Sequence, residues 1–104
     1  MAQLWSASER GDARAVAALL DGDCTSDALN HAGERGATPL LIASENGHSE
    51  VVSTLLAKQG VDVNQAEDDG WTPLLVASDG GHSEVVSMLL AKQGVDVNQA
   101  TNNK

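Results

Sequence analysis

Two consecutive segments of 34 residues, 36–69 and 70–103, have nearly the same sequence. The first reads GATPLLIASENGHSEVVSTLLAKQGVDVNQAEDD and the second reads GWTPLLVASDGGHSEVVSMLLAKQGVDVNQATNN. They differ at eight positions and are identical at the other 26. A repeat of this length is typical of supersecondary units that stack on one another and share one continuous core. Residues common to both copies therefore build the unit, whereas the differing positions are free to serve another purpose.

Each copy carries the signals for two short helices. Thr38 and Pro39 predict an N-cap followed by proline at the first helical position, where the missing N–H costs nothing. Gly47 breaks this helix, a second helix begins near Ser49, and Gly60 is placed to end it. The same signals recur 34 positions later. Isolated helices of about 8–10 residues are marginal in water, so packing against neighbouring units must hold them.

The repeated pattern resembles the ankyrin repeat, which consists of a β-turn and two antiparallel helices. The resemblance is carried by the following residues and their equivalents one period later: Gly36, Thr38, Pro39, Leu40, Ala43, Gly47, His48, Glu50, Val51, Val52, Leu55, Leu56, Gly60, Asp62, Val63 and Asn64. Leu41 and Leu75 replace the histidine that the family has after T-P-L. One extra residue makes the period 34 rather than about 33.

A weaker copy precedes these two. Its apolar and glycine positions align with the first clear copy at a constant offset of 36, and they are Leu4, Ala7, Gly11, Val16, Leu19 and Leu20. Trp5 aligns with Leu41 and is expected to pack within this first unit. The resemblance thus implies an all-α ankyrin-repeat solenoid of about three helix-turn-helix units with short β-turn or hairpin connections. Residues 1–35 would form a degenerate N-terminal capping repeat and linker, followed by repeats at 36–69 and 70–104.

The last copy lacks the polar outer face that a terminal cap needs in solvent. It keeps every large apolar position, and Met88 replaces Thr54. We therefore expect further repeats or self-association at the C-terminal end.

The chain is strongly acidic, with 6 basic and 15 acidic residues and a net charge of −9. Binding to a nucleic-acid backbone or an anionic membrane needs clustered Lys and Arg, so both partners are disfavoured. A basic protein or peptide is the easier partner. No apolar run provides a secretory signal or approaches the roughly 18–20 residues of a membrane span. With Cys24 as the single cysteine, we expect an intracellular protein, cytoplasmic or nuclear.

The sequence offers no catalytic, cofactor or metal site. His48 and His82 occupy equivalent positions one unit apart, which is roughly 8–10 Å at helix packing distances, too far to share a zinc ion. They are interpreted as structural. His31 and Cys24 in the linker supply only two ligands. We expect a protein that is not an enzyme.

Asn64 and Asn98 lie in a context that resembles the ankyrin-repeat asparagines that an asparaginyl hydroxylase modifies in animals. The alternative is that they form turn hydrogen bonds that the fold needs in any case.

Six of the eight differences fall at the turns and at the end of the first helix. In ankyrin repeats these two places line the concave groove that binds partners. The partner-binding residues predicted in this way, here called the acidic strip, are Glu34, Arg35, Ala37, Glu45, Asn46, Asp68, Asp69, Trp71, Asp79 and Gly80. Trp71 is either an exposed anchor or packs flat over a neighbouring turn, since its equivalent is Ala37.

The resulting interpretation is a non-catalytic interaction module that binds a protein or peptide, and a basic one most easily, in an acidic groove. The alternative is a structural spacer or a fragment of a longer ankyrin-repeat scaffold.

Overall fold

The computed structural model describes residues 2–21 and 26–96. Within these ranges the chain is helical and contains no strand. The helices are α1 (Ala2–Arg10), α2 (Ala13–Asp21), α3 (Ser26–Leu29), α4 (Pro39–Glu45), α5 (Ser49–Leu56), α6 (Pro73–Asp79) and α7 (Ser83–Ala91). A short 3-10 turn covers Glu34–Gly36. None of the helices in the described part of the chain is long and apolar enough to cross a membrane.

Three helix pairs stack along one axis. The pairs are α1 with α2, α4 with α5, and α6 with α7. The first helices form one layer, in which α1 packs on α4 and α4 packs on α6. The second helices form the other layer, in the order α2, α5 and α7. The molecule is therefore elongated, at 38 × 24 × 24 Å, and the expectation of about three stacked all-α units is confirmed.

The first helices of the two clear copies begin as predicted. The Thr38 hydroxyl accepts a hydrogen bond from Leu41 N at 3.1 Å, and the Thr72 hydroxyl accepts one from Leu75 N at 3.2 Å. Proline follows each threonine at the start of the helix. The side-chain caps satisfy backbone N–H groups that have no partner inside the helix.

The second helices end earlier than the sequence predicts. Gly60 was expected to end α5, but this helix stops at Leu56, and Gly60 lies four residues later in a turn with a φ of 96°. The free carbonyl at the end of α5 is satisfied from the next unit, because Lys92 Nζ donates to Leu56 O at 2.7 Å. In the same way Lys58 Nζ donates to Leu20 O at 2.9 Å. A lysine from the following unit therefore does the capping that was assigned to glycine.

The main core lies between the two helix layers and runs through all three units. Aliphatic side chains fill it, and Val16, Val51, Leu55 and Leu89 are fully buried. A smaller cluster beside the turns contains Ala37, Leu41 and Val76, with Trp71 packed against it.

Trp5 connects the first unit to the second. Its Nε1 donates to Ala37 O at 2.8 Å, and its ring is partly buried. The ring lies over Gly33, where a Cβ would be only 2.6 Å from Nε1. Trp5 thus packs within the stack, as its alignment with Leu41 predicts.

Candidate partner-binding site

Two equivalent turns, residues 33–37 and 67–71, lead into the first helices α4 and α6. In the first turn, Gly33 N donates to Ala37 O at 2.7 Å and Gly36 N donates to Gly33 O at 3.1 Å. The two equivalent bonds of the second turn are both 2.9 Å long. These paired bonds are the hairpin connections that the resemblance implies.

The second turn lies directly on the first. Asp68 N donates to Arg35 O at 2.9 Å. The Asp68 carboxylate lies over Gly36, which has a φ of 74° and no room for a Cβ. Arg35 has a φ of 58°, a left-handed conformation that is uncommon for any residue but glycine. Backbone contacts between the two stacked turns therefore fix the positions from which their side chains extend.

A cavity of about 410 Å³ opens between the two turns and the C-terminal ends of α4 and α6. We call it the turn cavity. It is lined by Arg35, Glu45, Glu67, Asp69, Trp71, Val76, Asp79 and Gly80. Six of these eight residues belong to the ten of the acidic strip. Four carboxylates against one guanidinium make the turn cavity electronegative.

Arg35 forms two ion pairs at the wall of the turn cavity. Its Nη2 lies 2.9 Å from Glu45 Oε1, and its Nη1 lies 3.2 Å from Glu67 Oε2. The first contact is also a hydrogen bond. In the second, no N–H is directed at Glu67 Oε2, and this buried oxygen accepts no hydrogen bond.

Glu67 is the one acid of this site that is buried, with its side chain 5% exposed. Burial raises the pKa of its carboxyl group, and the nearby Arg35 partly counteracts this. The negative charges of Glu45, Asp69 and Asp68 raise the same pKa further. The surroundings of Glu67 thus disfavour its ionised form, and Arg35 offsets only part of this effect.

The acidic strip as predicted omits Glu67, although position 67 is one of the eight that differ between the copies. Its counterpart in the later copy is Thr101, and the equivalent residue in the turn one unit earlier is Gly33, which lies under the ring of Trp5. In the next unit the residue aligned with Trp5 is the smaller Leu41, and position 67 carries a glutamate. The difference between the copies at position 67 is visible in the sequence. Whether a residue at this position is buried depends on which side chain lies over the turn.

Trp71 is half-buried and contacts both the small core cluster and the turn cavity. Part of its side chain packs with Ala37, Leu41 and Val76, and part is accessible from the cavity. The packing alternative therefore holds for one part of the side chain, and the role of the accessible part as an anchor stays a prediction.

Four residues of the acidic strip do not line the cavity. Ala37 is fully buried in the small cluster, so its side chain is not accessible to a partner. Asp68 is exposed beside the cavity. Asn46 is exposed at the end of α4, and its Nδ2 donates to Glu9 O at 3.3 Å. The side chain of Glu34 lies outside the described part of the structure.

His48 and His82 connect successive units rather than forming a site. His48 Nε2 lies 2.9 Å from Glu9 O, and His82 Nε2 lies 3.0 Å from Glu45 O. Since a carbonyl only accepts, each Nε2 carries the proton and donates. The two rings lie over Gly11 and Gly47, respectively. Residues 2–21 and 26–96 contain no group of three or more potential ligands that could hold a metal ion.

Asn64 also connects units. Its Nδ2 donates to Gly94 O at 2.7 Å, and its Oδ1 accepts from Asp96 N at 2.7 Å. Asn30 makes the equivalent pair of bonds one unit earlier. This is the turn bonding that the structural interpretation predicts, while hydroxylation of Asn64 stays a prediction. Asn98 lies outside the described residues.

A family model for ankyrin repeats, described as three copies, matches residues 4–101 of the chain. The match spans all three helix pairs. A search among curated proteins gives no significant match.

Proposed function

The chain belongs to the ankyrin repeat family, whose members are generally protein–protein interaction modules and typically non-catalytic, and on this premise we propose that it binds a basic protein or peptide at the turn cavity. The observation that carries the proposal is the composition of the cavity wall. Glu45, Glu67, Asp69 and Asp79 surround a half-exposed Trp71, and only Arg35 opposes their charge.

The charge arrangement favours a cationic partner. Arg35 pairs with Glu45 and Glu67, whereas no cation among the described residues pairs with Asp69 or Asp79. These two carboxylates are exposed, so they would act mainly on the approach of a partner and the association rate. The overall charge of −9 acts in the same direction at longer range.

Trp71 supplies the apolar part of the proposed interface. Partly buried aromatic residues at the centre of an interface often account for about 2 kcal/mol or more of binding energy on truncation. The small core cluster fixes one part of the Trp71 side chain, so little side-chain entropy is lost when a partner contacts the rest. We expect Trp71→Ala to weaken binding, with the melting temperature recorded to separate lost contact from lost packing.

The test is a titration with an unstructured lysine- and arginine-rich peptide, compared with the same peptide in which glutamine replaces each basic residue. Backbone amide shifts should map to residues 33–37, 67–71 and the end of α6. The double variant Asp68→Asn/Asp69→Asn should slow association and reduce its dependence on salt. The matched control Glu50→Gln/Glu84→Gln removes the same charge from the exposed starts of α5 and α7 and should change little.

Three results would contradict the proposal. The neutral peptide would bind as well as the basic one, the shifts would map to the second-helix layer, or both double variants would lose affinity equally. The last result would mean that net charge, and not the turn cavity, attracts the peptide.

One observation favours the alternative, in which the chain is a structural unit of a larger scaffold. Leu90 on α7 is 50% exposed, whereas the equivalent Leu56 is 7% exposed. Leu56 is covered within the stack, and another unit or chain packed on α7 would cover Leu90 in the same way. Sedimentation across a concentration series, with Leu90→Gln as the control, tests this. A monomer at high micromolar concentration for both proteins would argue against self-association at α7.

A further inference from the structure

The turn cavity already accommodates a guanidinium group from the chain itself. Arg35 reaches its wall from the first turn and pairs with carboxylates of α4 and the second turn at 2.9 and 3.2 Å. Its two terminal nitrogens lie near different acids, and Nη2 donates a hydrogen bond to Glu45 Oε1. Glu45 and Glu67 therefore flank one guanidinium group, that of Arg35.

Hydrogen-bond acceptors at this wall outnumber the donors. Glu67 Oε2 is buried and accepts no hydrogen bond. Its side chain is 5% exposed, and it belongs to a residue that lines the cavity. This oxygen lies 3.2 Å from Arg35 Nη1 without accepting a hydrogen bond from it, so the cost of its burial is only partly compensated. Asp69 and Asp79 add two more carboxylates that no described cation pairs with.

The remaining wall is apolar and suits the stem of a long side chain. Trp71 and Val76 line the turn cavity beside the carboxylates. A cation held near an indole ring is attracted by the ring electrons, and the methylene groups of a long basic side chain cover apolar surface at the same time. Acid, aromatic and aliphatic groups thus meet in one opening of about 410 Å³.

We propose that the turn cavity receives an arginine side chain of the partner, with its guanidinium between Glu67, Asp69 and Asp79 and its stem against Trp71. The proposal rests on the proposed function and specifies which chemical group enters. Arginine is favoured over lysine because its five N–H donors reach several carboxylates at once and its plane stacks on an indole. Arg35 is then an internal competitor, since it shares Glu67 with the incoming group.

The indole N–H resonances of Trp71 and Trp5 give a direct readout with an internal control. The probe is the capped tripeptide acetyl-Gly-Arg-Gly-amide, and its neutral isostere carries citrulline in place of arginine. The expected result is a saturable shift of the Trp71 indole resonance with the arginine peptide and none with citrulline. The Trp5 resonance should not move, because its N–H is already bonded to Ala37 O. A lysine peptide should bind more weakly.

Two substitutions at the cavity wall should act in opposite directions. Glu67→Gln should weaken binding of the arginine peptide about tenfold, since a charge-assisted hydrogen bond is lost. The matched control Glu84→Gln, which removes the same charge from the exposed start of α7, should have no effect. Arg35→Asn should strengthen binding about two- to fivefold, because the half-exposed guanidinium that competes for Glu67 is removed. Asn is chosen because it tolerates the left-handed backbone at this position.

The outcomes separate this inference from the proposed function. Equal shifts of the Trp71 resonance with citrulline and arginine, or equal affinity for lysine and arginine, would overturn the assignment of a guanidinium. Weaker binding by Arg35→Asn, with an unchanged melting temperature, would overturn its role as a competitor. If the polybasic peptide binds through Asp68 and Asp69 while Glu67→Gln has no effect, the interaction surface stands and the arginine pocket does not.

Discussion

The second and third units share 26 of 34 residues, yet the structure buries them differently. Leu56 is 7% exposed and Leu90 is 50% exposed, although both are the last leucine of the same VVSxLL motif. Leu41 is fully buried, whereas the equivalent Leu75 is only partly buried. His82 covers Gly47, while nothing among the described residues lies within 4 Å of a Cβ at Gly81. Nearly identical units are thus buried to different extents, because the second unit is covered by the third and α7 has no described unit beyond it.

The strongest test of this difference is truncation of the equivalent leucines. Leu56→Ala should lower the free energy of unfolding by about 2–5 kcal/mol, the usual range for a buried leucine. Leu90→Ala should cost about 1 kcal/mol or less, because half of the side chain is already in water. Urea unfolding of the two variants measures both values. Equal losses would show that α7 is as well covered in solution as α5.

The turns offer a second comparison, between Gly33 and Glu67. Gly33→Ala should cost about 1–3 kcal/mol, because the new Cβ would be 2.6 Å from Trp5 Nε1 and the ring would have to move. Glu67→Ala at the equivalent position only removes atoms, so it should not carry this steric cost. Thermal unfolding of both variants measures the difference.

The Gly33 prediction can be sharpened with a double variant. In the Trp5→Leu background, Gly33→Ala should lose most of its cost, since Leu is the residue that the second unit has at this position. If the cost persists there, the strain lies in the backbone and the proposed contact with the ring is wrong.

The loss of a helix cap should cost the same free energy of unfolding in both units. Thr38→Ala and Thr72→Ala should each cost about 1 kcal/mol, because each hydroxyl accepts a bond from its own helix and both threonines are buried. Equilibrium unfolding in urea gives both values. A cost that differs by more than twofold would mean that the neighbouring unit contributes to the cap.

The smallest expected effect is a pH dependence from Glu67. Its pKa is raised on folding, so the folded state binds a proton more tightly than the unfolded state. The protonated carboxyl therefore contributes stability that is lost as the pH rises from the ordinary value of 4.5 through the raised pKa. Glu67→Gln should remove this part of the pH profile in unfolding experiments. An unchanged profile would locate the titration elsewhere.

Local signals in the sequence predicted the fold well. Thr38 and Pro39 mark the start of α4, and the start of α5 at Ser49 was also predicted. These features depend on a few adjacent residues, so they can be recognised without knowing what packs against them. The count of about three units follows from the two clear copies and the weaker copy that precedes them.

Contacts between units were harder to predict. The end of α5 depends on Lys92 of the next unit, and the burial of Ala37 depends on a cluster completed by Val76. Glu67 lines the turn cavity, whereas the equivalent Gly33 lies under the ring of Trp5. Each of these facts joins residues more than 25 positions apart, and no local pattern encodes them.

The bonds that the connecting side chains make between units have a consequence for how such a chain evolves. Lys58, Lys92, His48, His82 and Asn64 each reach across to a main-chain group of the neighbouring unit. Every copy has these main-chain groups, whatever its side chains are. An in-frame tandem duplication can therefore add a unit that fits at once, without a matched mutation in its neighbour. The turn residues can then diverge by point mutation while the stack stays intact.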